Sequence, residues 1–220
     1  MPPQRKPRRN SMNKLKKLKI YLLLNIFVSV FEIIAFIMVI NRRGGETFQY
    51  YTQLSNLFLL ICCLANIFFI TRALRSKKDV PHIVNLMTYL ATCTTTVTLI
   101  VVLFILSWMV GDLWWLLTYD SMLYMHTLCP ILAIVMLECF APEKQPKKSA
   151  LFALIPTIIY AIVGITMNIL RLWDGPYPFL QVYNQPVWAS FGWGIVILGC
   201  AYLIARLLIL RPKQADRSRS

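Results

Sequence analysis

Six apolar blocks, each close to the length that a helix needs to cross a bilayer, constrain this chain more than any other feature. They run over 20–40, 50–71, 83–107, 121–140, 150–171 and 187–210. A hydrocarbon core about 30 Å thick takes about 20 helical residues at a rise of about 1.5 Å each. Composition agrees: the chain is 58% hydrophobic and only 15% charged, with a mean hydropathy of +0.60. Soluble domains are less apolar and carry more charge. The expected fold is all-α, a polytopic integral membrane bundle of six transmembrane helices. Residues 1–19 read as a basic N-terminal segment, 20–210 as one membrane domain without internal repeats, and 211–220 as a basic tail.

The net charge of +14 is distributed unevenly along the chain. Of the 23 basic residues, all but Arg42, Arg43 and Arg171 fall in the N-terminal segment, the second and fourth loops, or the C-terminal end. With six spans those segments share one side, and the positive-inside rule makes that side cytoplasmic, with both termini on it. The expected location is the cell membrane, as a multi-pass protein. A basic chain can also signal nucleic-acid binding. Here the basic residues flank membrane ends, where they set orientation and attract anionic headgroups, so no nucleic-acid partner is expected. The Arg-, Ser- and Pro-rich stretches Met1–Asn13 and Pro212–Ser220 read as disordered tails.

The N-terminus has a basic region before an apolar one, as a signal peptide does, but Ile20–Ile40 is too long for such a segment and no small-residue cleavage site follows. It reads as a retained first span. Cys62, Cys63, Cys93, Cys129, Cys139 and Cys200 all fall inside predicted spans, so they imply no secreted disulfide framework and read as small apolar residues. Two distant histidines and scattered cysteines do not make a metal-ligand set, and no metal or cofactor is expected.

Polar residues within the blocks carry the functional information. Glu32 lies about two-thirds of the way along the first span, where a carboxylate must be paired or protonated. Arg171, near the outer interface, is a candidate partner for it or a snorkelling residue. Thr52, Gln53, Ser55 and Asn56 open the second span at its outer end, and Asn168 ends the fifth there. His126 is about five residues into the fourth span, roughly 8 Å deep. Ser55, Asn56 and Asn168 read either as contacts to a bound molecule or as hydrogen bonds between helices. The six tryptophans cluster at the same side and read as an interfacial belt.

An intramembrane histidine marks a function by default. Thr52 is its best candidate partner. A hydroxyl becomes a nucleophile when an adjacent base takes its proton, and histidine can then return that proton to a leaving alcohol. At this depth the electrophile at hand is a lipid or fatty-acid ester carbonyl. Asp120 reads as an N-cap for the fourth span rather than as the group that orients His126. The loop over 171–186, with Pro176, Pro178 and Pro186, reads as an ordered cap over the polar layer or as a rigid connector.

Three stretches carry a resemblance: Gly44-Gly45 with Tyr50-Tyr51-Thr52, Met125-His126-Thr127 with Pro130, and Gly175-Pro176-Tyr177-Pro178-Phe179-Leu180. Together they resemble the androgen-induced and androgen-dependent TFPI-regulating membrane protein family, and more closely its bacterial six-span relatives. The resemblance covers roughly residues 15–210. Animal members are described as intramembrane threonine hydrolases of fatty acid esters of hydroxy fatty acids. The resemblance thus implies Thr52 as nucleophile and His126 as base. The chain departs from the bacterial pattern at Gln181, where an acidic residue is expected.

Two function classes stay open at this level. One is an intramembrane hydrolase of lipid or fatty-acid esters, with catalytic Thr52 and His126 and with Ser55, Asn56, Glu32, Asn168 and Arg171 as substrate-binding candidates. The other is a non-enzymatic lipid- or small-molecule-binding protein or transporter. Transport predicts polar residues continuing to the inner side, and the spans supply little there beyond the threonines of the third. A purely structural accessory protein is a third reading. Membrane lipid is the expected partner, and a lipid ester the expected substrate of the first reading.

Overall fold

A computed structural model of the protein describes residues 6–76 and 79–209, and these contain helices and no strand. The elements are α1 (Lys6–Arg43), a 3-10 turn (Gly44–Gln49) and α2 (Tyr51–Ser76). They continue with α3 (His82–Val110), the short α4 (Leu113–Thr118), α5 (Leu123–Phe140), α6 (Ser149–Ile169) and α7 (Val187–Ile209). All but α4 are long and apolar enough to cross a membrane. This is the architecture of a multi-pass integral membrane protein. Helices suit that setting because each backbone polar group finds its partner within the segment.

The first span differs from its expected form. Residues 6–13 read as part of a disordered tail, yet α1 begins at Lys6. Pro7 falls in the first turn, where a missing N–H removes no hydrogen bond, and no further proline or glycine lies between it and the apolar block. The other expected tail, Pro212–Ser220, lies outside the described residues.

Helix α1 packs against α2 and α5, α3 packs against α2, α5 and α7, and α6 packs against α7. The seam of the first four spans holds Tyr21, Val28, Leu59, Cys63, Ala91, Cys129, Ala133 and Met136 with essentially no exposure. Small residues at Cys63, Ala91, Cys129 and Ala133 let backbones approach, which drives packing where lipid competes for every apolar contact. Large apolar side chains such as Phe27, Ile37, Phe104 and Ile195 stay exposed on the flank, as a lipid-facing surface requires.

Six crossings return both ends of the described chain to one side, here termed proximal. The Gly44–Gln49 turn, α4 and the 170–186 loop lie on the opposite, distal side. Trp108, Trp114 and Trp188 are among its most exposed residues, consistent with an interfacial belt. Helix α3 ends at Gly111, whose φ of +77° and N–H bond to the Ser107 carbonyl form a left-handed cap. Asp112 then caps α4 through a 2.8 Å bond from the Trp115 N–H. Asp120 does not cap the fourth span: its carboxylate pairs with Arg42 and its φ of 53° is left-handed. The charge that could have oriented His126 instead ties the end of α1 to the α4–α5 connection.

Candidate functional site

Pro130 shapes the fourth span around His126. It has no N–H to give the carbonyl four residues earlier, which is that of His126, and its ring crowds the same carbonyl. The helix responds with a π-helical turn over Leu123–Leu128. Such turns widen a helix and often lie at functional sites. Within it Met125 and His126 are buried.

The His126 ring is held firmly. Its Nδ1 lies 2.7 Å from the Leu116 carbonyl oxygen. A carbonyl can only accept, so Nδ1 carries the proton, and in the neutral ring the lone pair is on Nε2. The Thr127 hydroxyl donates to the Leu117 carbonyl at 2.8 Å. Both carbonyls belong to the last turn of α4, where helix carbonyls lack partners within the helix. The two side chains therefore clamp α4 onto α5. The orienting acceptor is a backbone group, so no carboxylate in the sequence could have revealed it.

Thr52 is buried in the first turn of α2. One turn on, the Asn56 amide donates to the Thr52 carbonyl at 2.8 Å and to the Met125 carbonyl at 3.1 Å. This one side chain joins α2 to α5 at the residue before His126. Ser55 donates to the Thr52 carbonyl at 2.9 Å and shares a 3.0 Å bond with the Thr98 hydroxyl of α3. Thr52 and His126 are thus on touching helices at one level. Among the described residues no hydrogen bond joins their side chains.

The distal loop supplies a residue that sequence reasoning missed. Tyr177, Phe179 and Leu180 fold inward and are buried, so the 171–186 loop is a cap and not a surface connector. Tyr177 and Phe179 stack at 5.1 Å. The Tyr177 phenol faces the Thr52 side chain and the backbone of Tyr51 and Thr52 at the α2 N-terminus. Burial pushes this phenol up from its ordinary value, so it stays a neutral O–H group. Gly175, with φ +79°, lets the loop turn back, and a Cβ there would lie 3.4 Å from Leu180 Cβ.

Two spaces lie near the start of α2; Thr52 lines the smaller and not the larger, and His126 lines neither. A chamber of about 50 Å³ is lined by Thr52, Thr98, Thr157, Tyr160 and Tyr177. A groove of about 540 Å³ between α2 and α6 is lined by Phe48, Ser55, Ile159, Val163 and Met167, among others. Ile159 and Val163 are exposed on the bundle flank, so the groove opens sideways. Tyr51 and Tyr160 border both spaces and meet edge to face at 5.2 Å. The Tyr51 hydroxyl is bonded to Thr157 Oγ1 at 2.8 Å, and Tyr160 donates to the Gln49 carbonyl at 2.8 Å.

Three expected binding residues lie apart from this cluster. Asn168 is used by the loop, donating to the Trp173 carbonyl at 3.1 Å and accepting from the Val182 N–H at 2.9 Å. Arg171 is exposed and sits 4.9 Å over the Tyr183 ring, so it does not pair with Glu32. Glu32 is fully buried on α1 and faces the Cys129 thiol. Cys129 is one helical turn past Met125, so Glu32 lies about 6 Å on the proximal side of the Asn56 bridge. The inner half also holds more polar groups than expected: Asn25 and Asn66 are fully buried there, and Asn66 donates to Thr88 at 2.7 Å. Thr92, Thr95 and Thr96 bond to carbonyls of their own helix, which satisfies them locally.

No protein-family model, curated protein or solved structure matches this chain.

Proposed function

We propose that this protein is an intramembrane hydrolase of lipid-type esters, with Thr52 as nucleophile and His126 as base. The Asn56 amide carries the reading, because it fixes Thr52 and His126 at one level of adjoining helices. The basic bias of the proximal segments makes the distal side external, so the ester would enter from the outer leaflet. The groove of about 540 Å³ is of the size that ligand sites use, and its apolar flank suits an acyl chain.

In this reading Thr52 Oγ1 attacks the ester carbonyl while His126 Nε2 takes its proton. The imidazolium then gives that proton to the departing alcohol, leaving an acyl-threonine. Water, deprotonated by the same nitrogen, releases the acid and restores Thr52. The Leu116 carbonyl stabilises the imidazolium through Nδ1–H. The Tyr177 hydroxyl, which faces Thr52, is suited to the developing oxyanion. Because Thr52 and His126 are not hydrogen-bonded in the resting protein, the contact forms with substrate bound, as catalytic contacts often do.

The test is a hydroxyl-directed covalent probe on the purified protein. Labelling at Thr52, lost in Thr52→Ala and reduced about 100-fold or more in His126→Gln, is expected from the size of general-base effects. Labelling unchanged in Thr52→Ala would remove the nucleophile. A second reading is favoured by the α4 clamp: His126 and Thr127 then serve only to hold the distal cap over a lipid-binding groove. It predicts that Thr52→Ala leaves binding of a fluorescent fatty-acid ester and its slow turnover unaltered.

A further inference from the structure

Along the seam of α1 and α2 the interior carries polar atoms that the proposed hydrolysis does not use. Asn25 Oδ1 and Asn66 Oδ1 have no hydrogen-bond partner among the described residues, and the Glu32 oxygens have none beyond the weak thiol donor of Cys129 that faces them. All three residues have no exposed surface. Native interiors rarely leave such atoms without a role, and in hydrocarbon the pressure to satisfy them is greater.

Glu32 is the group in this set that can ionise. The titratable side chains facing it are neutral thiols, Cys129 from α5 and Cys63 from α2. On its own helix Tyr21 lies toward the proximal side and approaches Cys63. From α3 the facing group at that end is the Thr88 hydroxyl. None of the ion pairs among the described residues includes Glu32. An isolated ionised carboxylate is costly in this setting, and the neutral acid is the form that such a site retains.

The polar groups continue from Glu32 in one direction. Tyr21 is eleven residues, about 16 Å of helix, proximal to Glu32. Its hydroxyl lies near the side chains of Asn25 and Thr88. Asn25 donates to the Tyr21 carbonyl at 2.7 Å. Asn66 reaches Thr88 Oγ1 at 2.7 Å, and Thr88 donates to the Val84 carbonyl at 2.8 Å. Hydroxyl and amide groups that both give and accept hydrogen bonds therefore lie between the buried acid and the proximal face, with the Cys63 thiol near both Glu32 and Tyr21.

We propose that Glu32 is a proton-binding site in the membrane interior whose proton exchanges with the proximal face along Tyr21, Asn25, Asn66 and Thr88. The ligand is the proton itself. Release breaks the carboxyl O–H bond and passes the proton to water on that face, and uptake reverses this. The site stands on a different set of residues from Thr52 and His126.

Infrared spectroscopy of the full-length protein in lipid nanodiscs tests this. Near neutral pH the wild type should give the C=O stretching band of a protonated carboxylic acid, shifting down in D2O. Glu32→Gln, which keeps the shape of the neutral acid, should lose that band, and Glu32→Asp should move it. Tyr21→Phe combined with Asn66→Leu should slow the D2O shift at least tenfold without removing the band. Absence of the band in the wild type would overturn the proposal. So would a band untouched by both Glu32 variants, or a D2O shift as fast in the double variant as in the wild type. Failure of probe labelling at Thr52 leaves these outcomes unaffected, so the two readings fail separately.

Discussion

At the residue scale, function rests on side chains whose roles are set by partners far away in sequence. Asn56 spends both amide hydrogens on backbone carbonyls of two helices. Hydrogen bonds between membrane helices are worth about 0.6 kcal/mol on average and up to about 1.7 kcal/mol. Asn56→Leu should therefore cost about 1 kcal/mol in unfolding measurements, yet lower the rate of probe labelling at Thr52 far more than that loss explains. An equal fractional loss of fold and labelling would reduce Asn56 to packing. The Arg42–Asp120 pair is partly exposed, so Asp120→Asn should change stability by less than about 1 kcal/mol. The effect should shrink further in high salt, as read from thermal melts at two ionic strengths.

Hydropathy gave the depth of each of these residues but not the direction it faces on its helix. Depth alone puts Thr52, His126, Glu32, Asn168 and Arg171 in one layer, whereas the structure joins the helices of the first two through Asn56, turns Asn168 and Arg171 to the loop and sets Glu32 against Cys129. Arg171 could reach Glu32 by depth alone, but it turns outward to Tyr183. Leu116 and Tyr177 had no local signal. One acts through a backbone carbonyl, and the other matters only because its loop folds inward.

At the element scale, two irregular segments shape the site. The π turn over Leu123–Leu128 exists where Pro130 denies the His126 carbonyl its usual donor. Pro130→Ala returns that N–H and should let the turn relax toward α geometry. Thermal stability should hold or rise, while probe labelling at Thr52 falls because His126 shifts relative to α2. Labelling at the wild-type rate would separate the proline from the site. The loop cap depends on Gly175, whose φ of +79° disfavours any L side chain. Gly175→Val should cost about 1–2 kcal/mol from that conformation alone, and should expose the loop to limited proteolysis near Tyr177. The six blocks themselves were read within a few residues because backbone satisfaction in lipid leaves few choices. The start of α1 is not legible in hydropathy, because its basic residues read as a tail, yet charged residues with one early proline form helix readily.

At the scale of the whole molecule, six spans with polar groups buried on the α1–α2–α3–α5 side and a lateral groove beside α6 suggest two separate tasks, ester chemistry near the distal end and proton binding below it. The basic bias predicts an external distal side. A cysteine introduced at Asp174 should react with an impermeant maleimide in intact cells, and one at Lys147 only after lysis. The reverse pattern would invert the site's leaflet.

Hydrolysis by this pair requires α2 and α5 to present Thr52 and His126 to one another. Bifunctional maleimide crosslinking of Thr52→Cys with His126→Cys, in a background freed of the native cysteines, measures this directly. A link should form within one chain, while Thr52→Cys paired with Ile131→Cys, on the exposed flank of α5, should not. Equal linking of both pairs, or of neither while Asn66→Cys and Thr88→Cys join, would contradict the proposed pairing.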